Sequence, residues 1–486
     1  MRISLVNAPW RKEGYYGVRA GSRWPHFEHC DDNYMPFPFF LAYAAAVLER
    51  AGFEAALTDA VAEGLSDEEF YRRLAASAPD LVLFEVSTPS IFTDLKHARK
   101  TRELLGPDVP IAFSGPHQEM FSPLFLKKAQ DVDFVLVGEY EFALLELVER
   151  LRDAKPPSDV AGLLYRDASG EPVENPRRRL ERDLSMFPWP ARRLLPMEKY
   201  NDLPGGIPAP SLQMWASRGC PFRCIFCAWP QIMYGGATYR VRDPEDVVNE
   251  MLHCIDVYKM QSVYFDDDTF NIGKRRIQTL SRLMKERGVR VPWAIMARAD
   301  TMTPDMLEAM KEAGLAALKY GVESANQELL DAAHKGLSLQ KVRETIKFTR
   351  AMGIPYHLTF MFGLPGETRE TAKRTIEFAL EMDPDSVQFS IATPYPGSEY
   401  YRMLDEKGYL SSRNYEEYDG YHRSVIRTDA LGPADLEDMA RQAARAWQSH
   451  MLRRQLKRSP WKAVKWAMRY PKRVPVKIRQ LMGKSE

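Results

Sequence analysis

Cysteine is scarce in this chain: there are five in 486 residues. That is too few, and too uneven, for a disulfide framework. No run of about 18 apolar residues occurs, so no transmembrane helix is expected. The N-terminal residues 1–7 read as a strand and lack the pattern of a signal peptide, so a cytoplasmic, reducing location is expected. Net charge is nearly absent as well, at +1. That value hides an asymmetry: from Arg453 onward there are twelve Lys or Arg and one Glu, so the rest of the chain is net negative. Hydrophobic residues at 45% and charged residues at 27% are ordinary for a globular protein. The length implies two or three domains.

Three of the five cysteines are close together: Cys220, Cys224 and Cys227, at spacings of four and three. Structural zinc normally takes four ligands, often as two separated pairs. Cys30 and Cys254 are distant and do not complete such a set. Three thiolates can instead hold three irons of a cubane cluster and leave the fourth iron open. A cluster that only carries electrons takes four cysteines, and Cys254 reads as a small buried hydrophobe in a helix.

Strand and helix patterns alternate over the first 150 residues. Strands are expected at 3–6, 55–58, 81–84, 111–113 and 134–137, with helices at 40–51, 67–78, 93–105 and 141–152. This alternation implies a doubly wound parallel sheet with its ligand outside the carboxyl ends of the strands. The loops there carry Ser87 and Thr88, then Gly115 and His117, then Gly138 and Glu139. Residues 9–38 read as a long, aromatic- and Arg-rich loop starting on that side, either a cap over a ligand cavity or a self-packed surface loop. A proline-rich connector with a small hairpin follows. A second alternation begins at 212, with strands expected at 212–215, 262–265, 293–296, 317–320, 356–360 and 387–391. Six such units read as a partial TIM-type barrel, whose functional residues lie at the carboxyl ends of the strands. Those ends carry Asp266 and Asp267, Arg298, Glu323 and Ser324, and the loop with Gly363, Pro365 and Gly366.

The Cys220, Cys224, Cys227 spacing resembles the signature of the radical S-adenosylmethionine (SAM) superfamily. The resemblance implies a 4Fe-4S cluster on these cysteines. Its open iron chelates SAM, and one electron frees a 5′-deoxyadenosyl radical. Phe226 matches an aromatic position near the adenine. Asp266 and Asp267 stand where many members use a Gly-Gly-Glu run for the SAM amino group, although no glycine pair occurs here. Glu323 and Ser324 resemble ribose and carboxylate contacts, and Gly363, Pro365 and Gly366 an adenine-facing loop. Residues 1–152 resemble the cobalamin-binding domain found ahead of many radical SAM domains, which makes Ser87, Thr88, Gly115, His117, Gly138 and Glu139 candidate cobalamin contacts. In related cobalamin domains an Asp-x-His-x-x-Gly run ligates cobalt. Here Asp59 and Gly64 frame Val61 at the histidine position, so no histidine of that motif is expected below the cobalt.

The expected α/β architecture is therefore a Rossmann-like cobalamin-binding domain (1–152), a linker with a hairpin (153–210), a (β/α)6 radical SAM barrel (211–400) and a helical C-terminal region with a basic tail (401–486). The resemblance implies a cobalamin-dependent radical SAM enzyme. It would methylate an unactivated carbon of a small-molecule or lipid substrate, with flavodoxin or ferredoxin as electron donor. A cyclase or rearrangement enzyme with no net methyl transfer, and a redox carrier that does not cleave SAM, are the alternatives. The tail beyond Ser459 mixes Lys and Arg with Trp461, Val464 and Met468. That pattern suits peripheral contact with an anionic membrane, or a plain solvated tail. No RNA-binding pattern is visible, and no nucleic-acid partner is expected.

Overall fold

The computed structural model describes all residues except 31, 33, 422 and 459–486. The expected basic tail lies outside the described residues. Eighteen strands are named in chain order: β1 Arg2–Asn7, β2 Arg11–Lys12, β3 Tyr15–Val18, β4 His26–His29, β5 Glu54–Asp59, β6 Leu81–Glu85, β7 Ile111–Ser114, β8 Phe134–Leu136, β9 Leu163–Arg166 and β10 Pro172–Glu174. They continue with β11 Ser211–Met214, β12 Ser217–Arg218, β13 Arg240–Val241, β14 Ser262–Phe265, β15 Trp293–Ala297, β16 Leu315–Glu323, β17 Tyr356–Phe362 and β18 Ser386–Ile391.

The first sheet runs β10-β9-β8-β7-β6-β1-β5. Its five parallel strands follow the flavodoxin-like order, with the strand order reversing between β1 and β6. β6 is Leu81–Glu85 and buried at every position, as a strand covered on both faces must be. The expected connector hairpin is present as β9–β10, and it extends this sheet antiparallel at its edge.

The second sheet is parallel throughout, in the order β11-β14-β15-β16-β17-β18. It is the expected six-stranded partial barrel. Asp243 caps the helix Pro244–Tyr258 by accepting from the amides of Glu245 and Asp246, with Pro244 in the first turn.

The helix Phe39–Arg50 joins the two sheets. Every residue from Phe39 to Leu48 is buried, as expected of a helix that is apolar all round. Phe39 stacks on Trp215 beside the barrel, with ring centroids 4.1 Å apart. Phe40 meets Tyr140 of the first sheet's last loop at 5.9 Å and Trp229 at 5.6 Å.

Residues 9–38 are not an irregular loop. They contain the antiparallel sheet β2-β3-β4. Aromatic packing holds it: Trp10 and Phe27 lie 4.3 Å apart, and the Lys12 ammonium sits 4.4 Å from the Phe27 ring centre. In sequence the same aromatics sit in runs too short to read as strands.

Candidate active site

The cysteine loop leaves β11 and passes through the β12–β13 ribbon. The aspartates after β14 hold its entrance. Asp267 accepts hydrogen bonds from the Ala216 amide, at 3.1 Å, and from the Ser217 hydroxyl. Asp268 accepts from the Gly219 amide at 3.0 Å, and the Cys220 Sγ lies 3.3 Å from the Thr269 hydroxyl. Asp267 is thus a strap for the loop and not a ligand contact. Burial pushes its carboxyl up to about 6, against the Arg276 charge and the Ser217 bond.

Cys220, Cys224 and Cys227 all border one cavity of about 370 Å³ at the carboxyl end of the barrel. Among the described residues, no three His, Cys, Asp or Glu side chains close on a single ion. Thiolates on separate irons of a cubane stand farther apart than thiolates on one tetrahedral zinc, so three thiols spaced around one cavity fit the cluster. Burial first, then the neighbouring thiols, pushes the Cys227 thiol well up, and burial also raises Cys220. A cationic iron core would reverse that preference. Cys254 is buried in the helix Pro244–Tyr258 and does not border this cavity.

The other strand ends converge here. Arg298 bonds Asp300 at 2.8 Å and the Lys335 carbonyl at 3.0 Å, and its guanidinium lies 3.5 Å from the centre of the Phe222 ring. It therefore clamps the cysteine loop from the side. Glu323 sits at φ +71°, where β16 shifts register against β17. A non-glycine residue in that region is strained and held by its surroundings. A Cβ on Gly321 would come within 2.7 Å of the Glu323 carboxylate, so only glycine leaves that carboxylate its place. Lys335 binds it at 2.9 Å and lies 5.9 Å from the Phe226 ring centre. Phe226, Asp266, Arg298 and Glu323 all border the cavity.

Four expected contacts do not reach it. Ser324 is buried and bonded to Asn326 and Thr375. The loop with Gly363, Pro365 and Gly366 is folded on itself. Glu367 accepts from the Gly363 and Leu364 amides, and the Tyr400 hydroxyl donates to the Gly363 carbonyl. Ile426 and Leu436 of the C-terminal region pack over Gly363. Burial pushes the Glu367 carboxyl up to about 7.

On the first sheet, Ser87, Thr88 and His117 are buried at the carboxyl edge. The Thr88 hydroxyl lies 3.2 Å from His117 Nδ1, and burial drives the His117 pKa down to about 3. Gly115 packs where a Cβ would come 2.1 Å from the Val86 carbonyl. His117 opens on a cavity of about 810 Å³ walled in part by Ile91, Phe92, Phe125 and Tyr415. Hydroxyl, imidazole and aromatic groups of this kind suit the amide- and aromatic-bearing periphery of a corrinoid. Val61 is buried and supplies no metal ligand, while Asp59 is spent on Asn7, Tyr200 and the Ala62 amide.

Gly138 and Glu139 serve the contact between the sheets. Gly138 abuts the Met233 carbonyl. Glu139 is bonded to Arg218 at 3.0 Å and to Arg240 at 2.6 Å, and Glu141 to Arg218 at 2.7 Å. All four are buried. Their charges pair across from the first sheet to the β12–β13 ribbon, so Glu139 is not free for a cofactor.

Sequence inspection missed Arg23 and the barrel's inner wall. Arg19 reaches the switch point of the first sheet, bonding Asp94, Asn7 and the Ala8 carbonyl. Arg23 reaches the barrel, bonding Asp266 at 2.7 Å and Asp268 at 2.9 Å. Segment 9–38 therefore spans both sheets above the cavity. The signal for the inner wall was the two-residue alternation along β16 and β17, which places Lys319 and His357 on the same face as Glu323 and Met361.

Residues 216–379 match the Radical SAM superfamily, and residues 34–148 match the B12 binding domain. An uncharacterized methyltransferase of Pyrococcus horikoshii is 30% identical, over 78% of this chain and 81% of its own. The anaerobic magnesium-protoporphyrin IX monomethyl ester cyclase of Rubrivivax gelatinosus is 26% identical, over 90% of this chain and 76% of its own. The solved cobalamin-dependent S-adenosylmethionine radical enzyme OxsB, with aqua-cobalamin and SAM bound, superposes with a TM-score of 0.70 at 16% identity. That match covers 93% of this chain and 67% of OxsB and speaks to the fold alone.

Proposed function

This chain belongs to the radical SAM superfamily and carries a B12-binding domain, and from that premise we propose that it methylates an unactivated carbon of a small-molecule substrate. Its cofactors are a 4Fe-4S cluster, SAM and cobalamin. When bound, the cluster and SAM supply a 5′-deoxyadenosyl radical for hydrogen abstraction, and cobalamin carries the methyl group.

The chain's own residues bind, orient and exclude water. Cys220, Cys224 and Cys227 would hold three irons of the cluster and leave the fourth for SAM. Asp267, Asp268 and Arg298 fix the loop that carries them. Glu323, at the strained bulge, and its partner Lys335 would bind the polar end of SAM, and Phe226 would border its adenine. Asp266 reaches SAM only alongside Arg23. Ser87, Thr88 and His117 would hold cobalamin at the carboxyl edge of the first sheet. A small flavoprotein or ferredoxin supplies the electron.

The observation that carries the reading is the meeting of three thiols, Arg298 and Glu323 on one cavity beneath a segment that also reaches the first sheet's switch point. The cyclase relative keeps a second reading open, ring closure with no carbon gained. SAM deuterated at its methyl group separates the two. Methylation gives a product heavier than its substrate by one deuterated methyl in place of hydrogen. A product with the substrate's carbon count and no deuterium rejects it.

A further inference from the structure

TIM-type barrels usually fill their interior with layers of bulky branched side chains. This one does not. On β16, Lys319 lies four residues before Glu323, three strand steps along its neighbour β17 and so roughly 10 Å deeper. It borders the same cavity, together with His357, Gln388, Ser390 and Tyr264. Beneath them an apolar plug of Leu203, Ile207, Ala294 and Ala317 closes the barrel. The cavity is therefore a shaft running from the cysteines to a polar floor.

The chemistry of that floor is specific. Both Asp202 oxygens accept from the Lys319 ammonium, at 2.7 and 2.8 Å, so the pair carries no net charge. His357 Nδ1 lies 2.8 Å from the Ser386 hydroxyl, which leaves Nε2 for another partner. Burial, with the Lys319 charge, drives the His357 pKa down to about 3, so the imidazole is neutral. Tyr264 belongs to the plug, its hydroxyl buried out of reach of the shaft. The half-buried Gln388 amide faces the shaft and has no hydrogen-bond partner among the described residues. Buried polar groups left unpaired are costly, and a hydrocarbon laid against them would leave them so. A substrate with hydroxyl or amide groups would pair them.

We infer that the shaft below the SAM site is the substrate pocket, and that it takes a water-soluble molecule with an uncharged, hydrogen-bonding group, a hydroxyl, amide or ring nitrogen, seated on His357 and Gln388. A hydrocarbon lipid is the wrong occupant, because it would leave the polar floor unpaired. Lys319 and Asp202 are positioning residues, holding a neutral floor under the ligand. The inference rests on reading this cavity as the meeting place of SAM and substrate.

The test uses the full chain loaded with cluster and cobalamin, with dithionite and SAM deuterated at its methyl group. An extract of the source cells is partitioned into aqueous and chloroform phases, and each is added separately. The aqueous phase should raise 5′-deoxyadenosine formation severalfold. H357L and Q388L proteins that keep the wild-type iron content should lose that rise. Stimulation by the chloroform phase, by neither phase, or undiminished in both variants overturns the inference. Stimulation by the aqueous phase with no deuterium in any product leaves the pocket standing and rejects methyl transfer instead.

Discussion

At the scale of single residues, Val61 makes a statement about cobalt. A valine cannot ligate metal, and the nearby Asp59 is fully engaged by Asn7, Tyr200 and the Ala62 amide. The Co(II) form of the loaded protein should therefore show no nitrogen superhyperfine splitting from a protein imidazole in its paramagnetic resonance spectrum. Splitting of that kind would place a histidine under the cobalt. Gly321 makes a second statement. G321A drives a Cβ into the Glu323 carboxylate, and SAM affinity should fall by about tenfold, the equivalent of one lost charge-assisted hydrogen bond. Equilibrium binding of SAM to the cluster-loaded variant measures it, and unchanged affinity removes Glu323 from the SAM site.

At the scale of elements, the β12–β13 ribbon and the first sheet are joined by four buried charges. Arg218 lies between Glu139 and Glu141, and its guanidinium is 4.0 Å from the Phe187 ring centre. R218M strands the buried Glu141 carboxylate, while Glu139 keeps Arg240, and should cost about 3–5 kcal/mol in denaturant unfolding. A cost under about 1 kcal/mol would mean that the cluster behaves like exposed pairs. The loop after β17 sets a pH dependence. The folded Glu367 carboxyl is raised to about 7 from 4.5 by burial, so the native state holds a proton that the unfolded chain has released. Its contribution to stability is present below pH 4.5 and is lost as pH rises towards 7 and above. E367Q should flatten that fall, by about 3 kcal/mol across the window, and parallel curves for wild type and E367Q would contradict it. These elements also show what could be read in advance. The strand pattern gave both sheets, because buried parallel strands are short apolar runs bounded by turn residues, as in β6 and β14. The cysteines announced themselves by spacing. Ser324, Gly363 and Glu139 did not, because a strand-end position cannot say whether a side chain faces the cavity or a neighbouring element. Arg23 lay in a segment without strand periodicity, and only its bonds to Asp266 and Asp268 mark it out.

At the scale of the whole molecule, a sheet and an open barrel are joined by the helix Phe39–Arg50, by the Arg218 cluster and by segment 9–38. The cavity at the carboxyl end of the barrel, beneath segment 9–38, joins the proposed site for radical generation to a polar shaft. Everything proposed for it depends on the three cysteines acting as cluster ligands that leave one iron open. The most direct measurement is 5′-deoxyadenosine formation by the anaerobically reconstituted chain with SAM and dithionite, alongside iron content, for wild type and for C220A, C224A and C227A. Wild type is predicted to bind the cluster and cleave SAM, and each variant to lose both, since three ligands carry no redundancy. Full 5′-deoxyadenosine production by any one of the variants, or none by the cluster-loaded wild type, would contradict the assignment.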